Sequence, residues 1–283
     1  MGYGDDLMIT AFAAEEKKRH PNKQVIIGSL ELKQAFHSIV YDNNPNITDC
    51  RKLDNSQNIH FIDYHTRNRP YIDYKKSIKG KYVWNTNSKP LPGELYFTQN
   101  ELDQAENILN EAKENWNQNN KKKYKGSIFL ETSSTKINDS HWSVKHINKS
   151  WGEKNWKNLI KAINKSYLII HSTHENSNKF PGVYSPQNVD FRLGCAIMSK
   201  CDAYVGPEGG FGHVAGALKK KGVVYFGGWI TPEAVGYDFH NNLYFKHPES
   251  PCGLYLDLCK HCELARSKIS VETFKKNIEK IFK

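Results

Sequence analysis

The residues of this chain best suited to chemistry lie between Tyr204 and Leu218, in YVGPEGGFGHVAGAL. Gly209, Gly210 and Gly212 make a turn where backbone can approach a ligand closely, and Glu208 and His213 flank it. The apolar run 202–206 before the turn reads as a short buried strand. Residues 213–218 after it read as the start of a small-residue helix. A helix that opens after a glycine turn presents free N–H groups and the positive end of its dipole, which suits a phosphate. Two readings fit these residues: a phosphate or nucleotide site, or glycine used only for tight strand–helix packing. GPEGGFGH is neither the dinucleotide fingerprint nor a P-loop.

A second glycine turn opens the chain. Gly2-Tyr3-Gly4-Asp5-Asp6 leads into a helix that takes in Leu7, Met8, Ile9, Ala11, Phe12 and Ala13. Asp5 is open to two roles, a helix N-cap or an active carboxylate, and Asp6 stands beside it. An α/β domain usually begins with a buried strand, and two readings are open here: the true start lies upstream, or the N-terminal domain has lost its first strand.

Alternating elements must position these turns. Residues 24–28 and 59–64 read as strands, 30–39 as a helix and 101–116 as a helix with apolar residues at helical spacing. Residues 65–93 are polar and contain Arg67, Arg69, Pro70, Pro90 and Pro92. They read as a long loop of functional kind with one short strand around 82–84. The polar stretch 117–124 is the expected domain boundary, giving domains of 1–118 and 119–283. Further on, strands are expected at 127–131, 167–171 and 223–228, and helices at 155–163, 189–198 and 269–282, with a polar loop at 132–134. That alternation predicts an α/β fold of two Rossmann-like domains facing a cleft, with the site at the carboxyl ends of the strands.

With 283 residues, the chain is long enough for two such domains. The net charge of +10 allows nucleic acid, an anionic membrane surface or a phosphorylated substrate as partner. The lysines are widely spread, and no basic-aromatic pattern of a nucleic-acid module is present, so no nucleic-acid partner is expected. No run approaches the ~18–20 apolar residues of a membrane span, and no signal peptide is visible, so the expected location is cytoplasmic. Cys252, Cys259 and Cys262 cluster with His261 and His247 in and near CGLYLDLCKHC. A structural zinc site is one reading. The spacing matches no established ligand pattern, so the expectation is free thiols and no metal.

Three segments in order resemble the heptosyltransferase-like glycosyltransferases of family nine. GYGDDLMITAFA is similar to that family's Gly-Asp-x-Leu-x-x-Thr loop, INKSWGEKNWKNLI to its Lys-x-Trp segment, and YVGPEGGFGHVAGAL to its acidic, glycine and histidine nucleotide loop. The resemblance implies a GT-B fold with an N-terminal acceptor domain and a C-terminal donor domain. It implies inverting, metal-independent transfer of a heptose or hexose from a nucleotide-sugar, with ADP-heptose one candidate donor, to a surface glycan or lipopolysaccharide-type glycolipid. No cofactor beyond the donor is implied. The general base of the family falls on Asp5. Donor contacts fall on Thr132, Ser133, Lys149, Glu208, Gly209, Gly210 and His213. Each has an ordinary alternative: a polar turn for Thr132 and Ser133, a solvated lysine for Lys149, a locally bonded histidine for His213. The stretch 135–146 is longer than the family's usual link. The basic surface is compatible with peripheral contact at the inner membrane. A different class of function, a non-catalytic nucleotide-sugar-binding protein with a degenerate acceptor domain, fits the donor half equally well. The orientation of Asp5 separates the two. A nucleotide-sugar epimerase or hydrolase would need further carboxylates in the cleft, which the sequence does not mark.

Overall fold

A computed structural model describes residues 2–54, 56–63, 68–133, 144–172 and 179–283, with side chains at 144–146 left aside. Tyr64, the expected last residue of a strand, Arg67 of the long loop, Ser134 and most of the 135–146 link lie outside these residues. Among the described residues there are two sheets, as an α/β two-sheet architecture requires.

The first sheet is small. β1 (Gln24–Ser29) is central and wholly buried. It pairs in parallel with β3 (Ile59–Asp63) and antiparallel with the two-residue β2 (Gln34–Ala35). Ahead of them come α1 (Tyr3–Thr10) and α2 (Ala13–Arg19). The helix therefore opens earlier than its apolar residues suggest and breaks at Ala11 and Phe12.

The helix expected over 30–39 does not form. Leu30 and Leu32 are 59% and 64% exposed, and Lys33 has a left-handed backbone with φ of 49°. That residue cannot continue a right-handed helix, so the segment reverses direction and returns as β2. The long loop is confirmed. Its expected strand at 82–84 is instead a set of isolated bridges, Ile72 with Trp84 and Lys81 with Leu254.

The second sheet has the order β5-β4-β6-β7-β8 and is parallel throughout. Its strands are β4 (Ser127–Leu130), β5 (Leu168–His171), β6 (Ala203–Pro207), β7 (Lys221–Phe226) and β8 (Asn241–Tyr244). The sequence of these strands is apolar on both faces, which only a sheet covered on both sides can use. Ile128, Leu130, Val205, Val223 and Tyr225 point one way, into a core with Trp151, Trp156, Phe274 and Ile278. Phe129, Tyr204, Val224 and Phe226 point the other way. The first face is covered by α5 (Glu153–Ile163) and α10 (Val271–Ile281), the second by α6 (Phe191–Lys200) and α7 (Gly210–Ala217). α4 (Val144–Lys149) lies in the crossover from β4 to β5 and α8 (Pro232–Val235) in that from β7 to β8, and α9 (Lys260–Lys268) follows the last strand.

Between the sheets, α3 (Gln99–Asn119) starts with a capping box in which Thr98 and Glu101 satisfy each other's backbone N–H groups. It packs along α6 and touches β5. α1 packs directly on α7. At their crossing a side chain on Gly4 would place its Cβ 2.9 Å from the His213 ring and 3.4 Å from the Gly210 Cα. Only glycine allows that approach, so the two glycine turns at opposite ends of the sequence meet in space.

Candidate functional site

The carboxyl edge of the second sheet, where β4 and β6 both end, is where a parallel fold places its ligands. β6 ends in Pro207, and Glu208 hydrogen-bonds back to β7 through its N–H. Gly209 then takes φ of 153° and ψ of −160°, a conformation open essentially to glycine alone. That turn starts α7, and Gly209, Gly210 and His213 line a cavity of about 210 Å³.

Asp5, Lys149, Glu208, Gly209, Gly210 and His213 all line this cavity. Asp5 reaches it from α1. The N-cap of α1 is Gly2, and no side chain caps the helix. The Asp5 carboxylate is instead held from the opposite side: Tyr71 donates its hydroxyl hydrogen bond to Oδ1, and Arg69 Nη2 lies 3.5 Å from Oδ2. Asp6 turns into the interior, where it accepts from Ser38 Oγ at 2.7 Å and Tyr41 Oη at 3.3 Å. Burial raises its pKa, and it has no access to the cavity. Of the two adjacent acids, Asp5 faces the cavity and Asp6 anchors the helix.

Lys149 ends α4. Its Nζ lies 2.8 Å from Glu208 Oε1 and 4.3 Å above the ring of Trp229. Both charges are mostly withdrawn from solvent, and the pairing offsets the cost of that. The His213 Nδ1 lies 3.0 Å from the Tyr237 hydroxyl. Burial lowers its pKa to about 4, with the nearby Asp5 carboxylate opposing that shift, so the ring is neutral near pH 7. His213 therefore contributes a hydrogen bond at the glycine turn and not a positive charge.

Thr132 and Ser133 follow β4 on the same edge but do not line this cavity. Thr132 Oγ1 lies 3.1 Å from His171 Nε2, and the Ser133 N–H donates to Glu131 Oε1 at 2.8 Å. Glu131 is buried and its pKa is pushed up to about 8 by that burial.

Several lining residues have no signal in the sequence. Arg69, Tyr71, Tyr82 and Trp84 come from the long polar loop, whose length alone marked it as functional. Trp229 comes from the chain just after β7. Trp84 Nε1 donates to the Trp229 carbonyl at 2.7 Å, and the two indoles meet edge to face with centroids 4.5 Å apart. A larger cavity of about 560 Å³ lies beside Asp49 and Arg192. Of the cations lining it, Arg192 is already spent on Glu101 and on the carbonyls of Ile39 and Tyr96, and Arg51 pairs with Asp42 and Asp49.

No protein-family model and no curated protein sequence matches this chain. Solved structures do match it. The iron-containing dodecameric glycosyltransferase TibC from enterotoxigenic E. coli H10407 aligns over 99% of this chain and 73% of its own, with a TM-score of 0.60 and 13% identity. The glycosyl transferase family 9 protein from Veillonella parvula DSM 2008 aligns over 100% and 95%, with a TM-score of 0.56 and 13% identity. The match to E. coli ADP-heptose LPS heptosyltransferase II, at a TM-score of 0.44 and 13% identity, takes in 67% of this chain and spans about half the length of that one, 53%. With two α/β sheets and paired glycine turns that meet in space, this chain shares the GT-B fold of these two glycosyltransferases, TibC and the Veillonella parvula family 9 protein.

Proposed function

We propose that this protein is an inverting glycosyltransferase that moves a heptose or hexose from a nucleotide-sugar to a hydroxyl of a glycan or glycolipid acceptor. The observation that carries this reading is the convergence of Asp5 with the α7 N-terminus and Lys149 on one cavity. A donor-binding protein without catalysis has no use for a carboxylate held toward the phosphate turn by Tyr71 and Arg69.

Asp5 is the general base. It takes the proton of the acceptor hydroxyl as that oxygen attacks the anomeric carbon from the face opposite the leaving diphosphate. Negative charge grows on the diphosphate in the transition state. The α7 N–H groups and Lys149 stabilise it there more than in the ground state. Glu208 accepts from sugar or ribose hydroxyls, and neutral His213 fixes the turn. Thr132 and Ser133 extend the diphosphate contacts along the carboxyl edge. In this reading Lys149 and the helix end supply the positive charge, and no metal takes part in the transfer. The protein works in the cytoplasm, with peripheral contact at the inner membrane where a lipopolysaccharide-type acceptor would be presented. No helix among the described residues is long and apolar enough to cross a membrane.

The experiment is a thermal-shift panel of ADP-, GDP-, UDP- and CMP-sugars, followed by an assay of nucleoside diphosphate release with the stabilising donor. One nucleotide class should raise the Tm, because a ligand at 100 times its Kd adds about 2.7 kcal/mol. Absence of a shift with every donor would remove the nucleotide-sugar assignment.

A further inference from the structure

A cluster of ligating side chains lies away from the cavity, in the N-terminal half. Glu16 and His20 are four residues apart at the C-terminal end of α2, so their side chains share one face. His60 is the second residue of β3, set beside Val25 of β1 by the parallel register. The three meet where α2 packs on the first sheet. His60 Nε2 lies 2.8 Å from Glu16 Oε2, and His20 Nε2 lies 3.8 Å from the same oxygen. The two imidazole rings stand 3.9 Å apart, tilted by 32°. One ligand atom from each residue lies within 4.8 Å of the other two. None of the three residues lines the cavity that holds Asp5.

We propose that Glu16, His20 and His60 bind one zinc ion that fastens α2 to the edge strand of the first sheet. Tetrahedral zinc with ligand bonds of about 2.0–2.1 Å sets neighbouring ligand atoms about 3.4 Å apart, and the two separations from Glu16 Oε2 bracket that value. A helical ligand pair at i, i+4, completed by a residue from another element, is a recurrent way to build such a site. Zinc takes the place of the Nε2 proton that His60 shares with Glu16. That proton moves to Nδ1, so coordination leaves a neutral ring neutral. Desolvation, followed by the charges of His60 and Lys23, lowers the pKa of His20 and keeps its lone pair available near pH 7. The carboxylate is held as well. Its Oε1 accepts from Arg19 Nη1 at 2.9 Å, which leaves Oε2 for the metal. Glu15 shares the Arg19 charge. The side chains of Glu16, His20 and His60 are 21%, 30% and 25% exposed, which admits the ion and leaves water for the fourth position. A comparable set makes the contrast. His37, Asp49 and Cys50 also come together, but both Asp49 oxygens accept from Arg51 and are not free to ligate.

The placement gives the ion a task. α2 is seven residues long, too short to be stable alone, and β3 ends its sheet. The turn after α2 is pinned locally, with Lys17 Nζ donating to the Lys23 carbonyl at 2.8 Å and the Lys23 N–H to the His20 carbonyl at 3.0 Å. That presents His20 to the sheet. α2 also packs on α1, the helix that carries Asp5. A metal bond from α2 to β3 therefore secures the helix pair on which Asp5 is mounted, without entering the cavity.

The test reads binding and stability, not transfer. The full chain, made without a metal-affinity tag and kept reduced, is titrated with Zn²⁺ by calorimetry, and its Tm is followed. His60→Gln and His20→Asn are run beside it, so that zinc taken up by thiols, which all three chains share, cancels. The native chain should bind about one equivalent more than either variant, and Zn²⁺ should raise its Tm further than theirs. Co²⁺ in place of zinc should give a native-minus-variant spectrum with visible d–d bands and no sulfur-to-metal charge transfer. Gln keeps a hydrogen-bonding group toward Glu16. If His60→Gln still fails to fold, His20→Asn decides, because Asn is well tolerated at a helix C-terminus. Equal stoichiometry and an equal Zn²⁺-induced shift in the native chain and a folded variant would overturn the proposal. So would a native chain whose Tm does not rise with Zn²⁺, or a difference spectrum carrying thiolate charge transfer.

Discussion

The two walls of the cavity are built by different means. On the donor side, Glu208, Gly209, Gly210 and His213 sit at the joint of β6 and α7, and their backbone is dictated by a five-stranded sheet buried on both faces. On the acceptor side, Asp5 comes from an eight-residue helix, and its orienting partners Arg69 and Tyr71 come from irregular loop. The charges differ in the same way. The donor wall is nearly balanced before any ligand arrives, with Lys149 on Glu208 and a neutral His213. The opposite wall holds the Asp5 carboxylate in place through Tyr71 and Arg69. Under the proposed function, regular structure supplies the binding surface and loop contacts the reactive group.

The sharpest way to break this contrast is Asp5→Asn. The amide keeps the volume and can still bond Tyr71 but cannot take a proton. Transfer should fall by about 10²–10⁴-fold, with donor affinity from equilibrium binding nearly unchanged. Equal loss of both would put Asp5 on the donor wall and end the division of labour.

The next effect in size is in the pH dependence of stability. His213 and His240 are both lowered to about 4 by burial. The unfolded chain binds more protons on them between about 4 and 6.5. Their contribution is therefore complete above 6.5 and lost as pH falls toward 4, by about 3 kcal/mol each. Glu131, raised to about 8 by burial, acts oppositely. It favours the folded state below its ordinary value near 4.5 and loses that contribution as pH rises toward 8. These buried groups together set a stability maximum near pH 6.5. Denaturant titrations across pH should show it, and Glu131→Gln should remove the fall on the alkaline side. A profile unchanged by that substitution would mean that Glu131 titrates as an ordinary carboxylate.

Lys149→Met probes the donor wall directly. Loss of one charged hydrogen bond should weaken nucleoside diphosphate binding by about 1–3 kcal/mol, read by calorimetry, with transfer falling in parallel. Unaltered affinity would take the lysine out of the site. The smallest change is Tyr71→Phe. It removes one hydrogen bond to the Asp5 carboxylate, leaves Arg69 in place, and should cost about 0.5–1.5 kcal/mol in kcat/KM, with donor affinity intact. Any loss of donor affinity would show that the two walls are coupled.

How much of this was legible in the sequence follows the same division. The strands over 127–130, 168–171, 203–207 and 221–226 announce themselves because a parallel strand covered on both faces must be apolar at every position. The helices over 153–163 and 271–281 show their buried faces at helical spacing, so the donor turn could be placed from its flanks alone. The N-terminal half gave less. Residues 30–39 have helix-compatible composition, and the left-handed Lys33 that reverses them leaves no mark in residue type. Arg69 and Tyr71 matter only through their proximity to Asp5, and no local pattern encodes a contact between residues so far apart in the chain. Asp5 and Asp6 are chemically alike in the sequence; the turn of α1 alone decides which faces water and which faces Ser38.

The contact of Gly4 with the start of α7 has an electrostatic consequence. α1 and α7 meet first turn to first turn, so two positive helix poles share one small volume. Alone they repel, and the carboxylates of Asp5 and Glu208 are the local counter-charges. A polyanion entering that volume takes over part of this neutralisation and draws both halves of the molecule toward itself. The ligand then acts as a mortar between the halves, so its stabilising effect should weaken as ionic strength rises, because dissolved salt fills the same role less specifically.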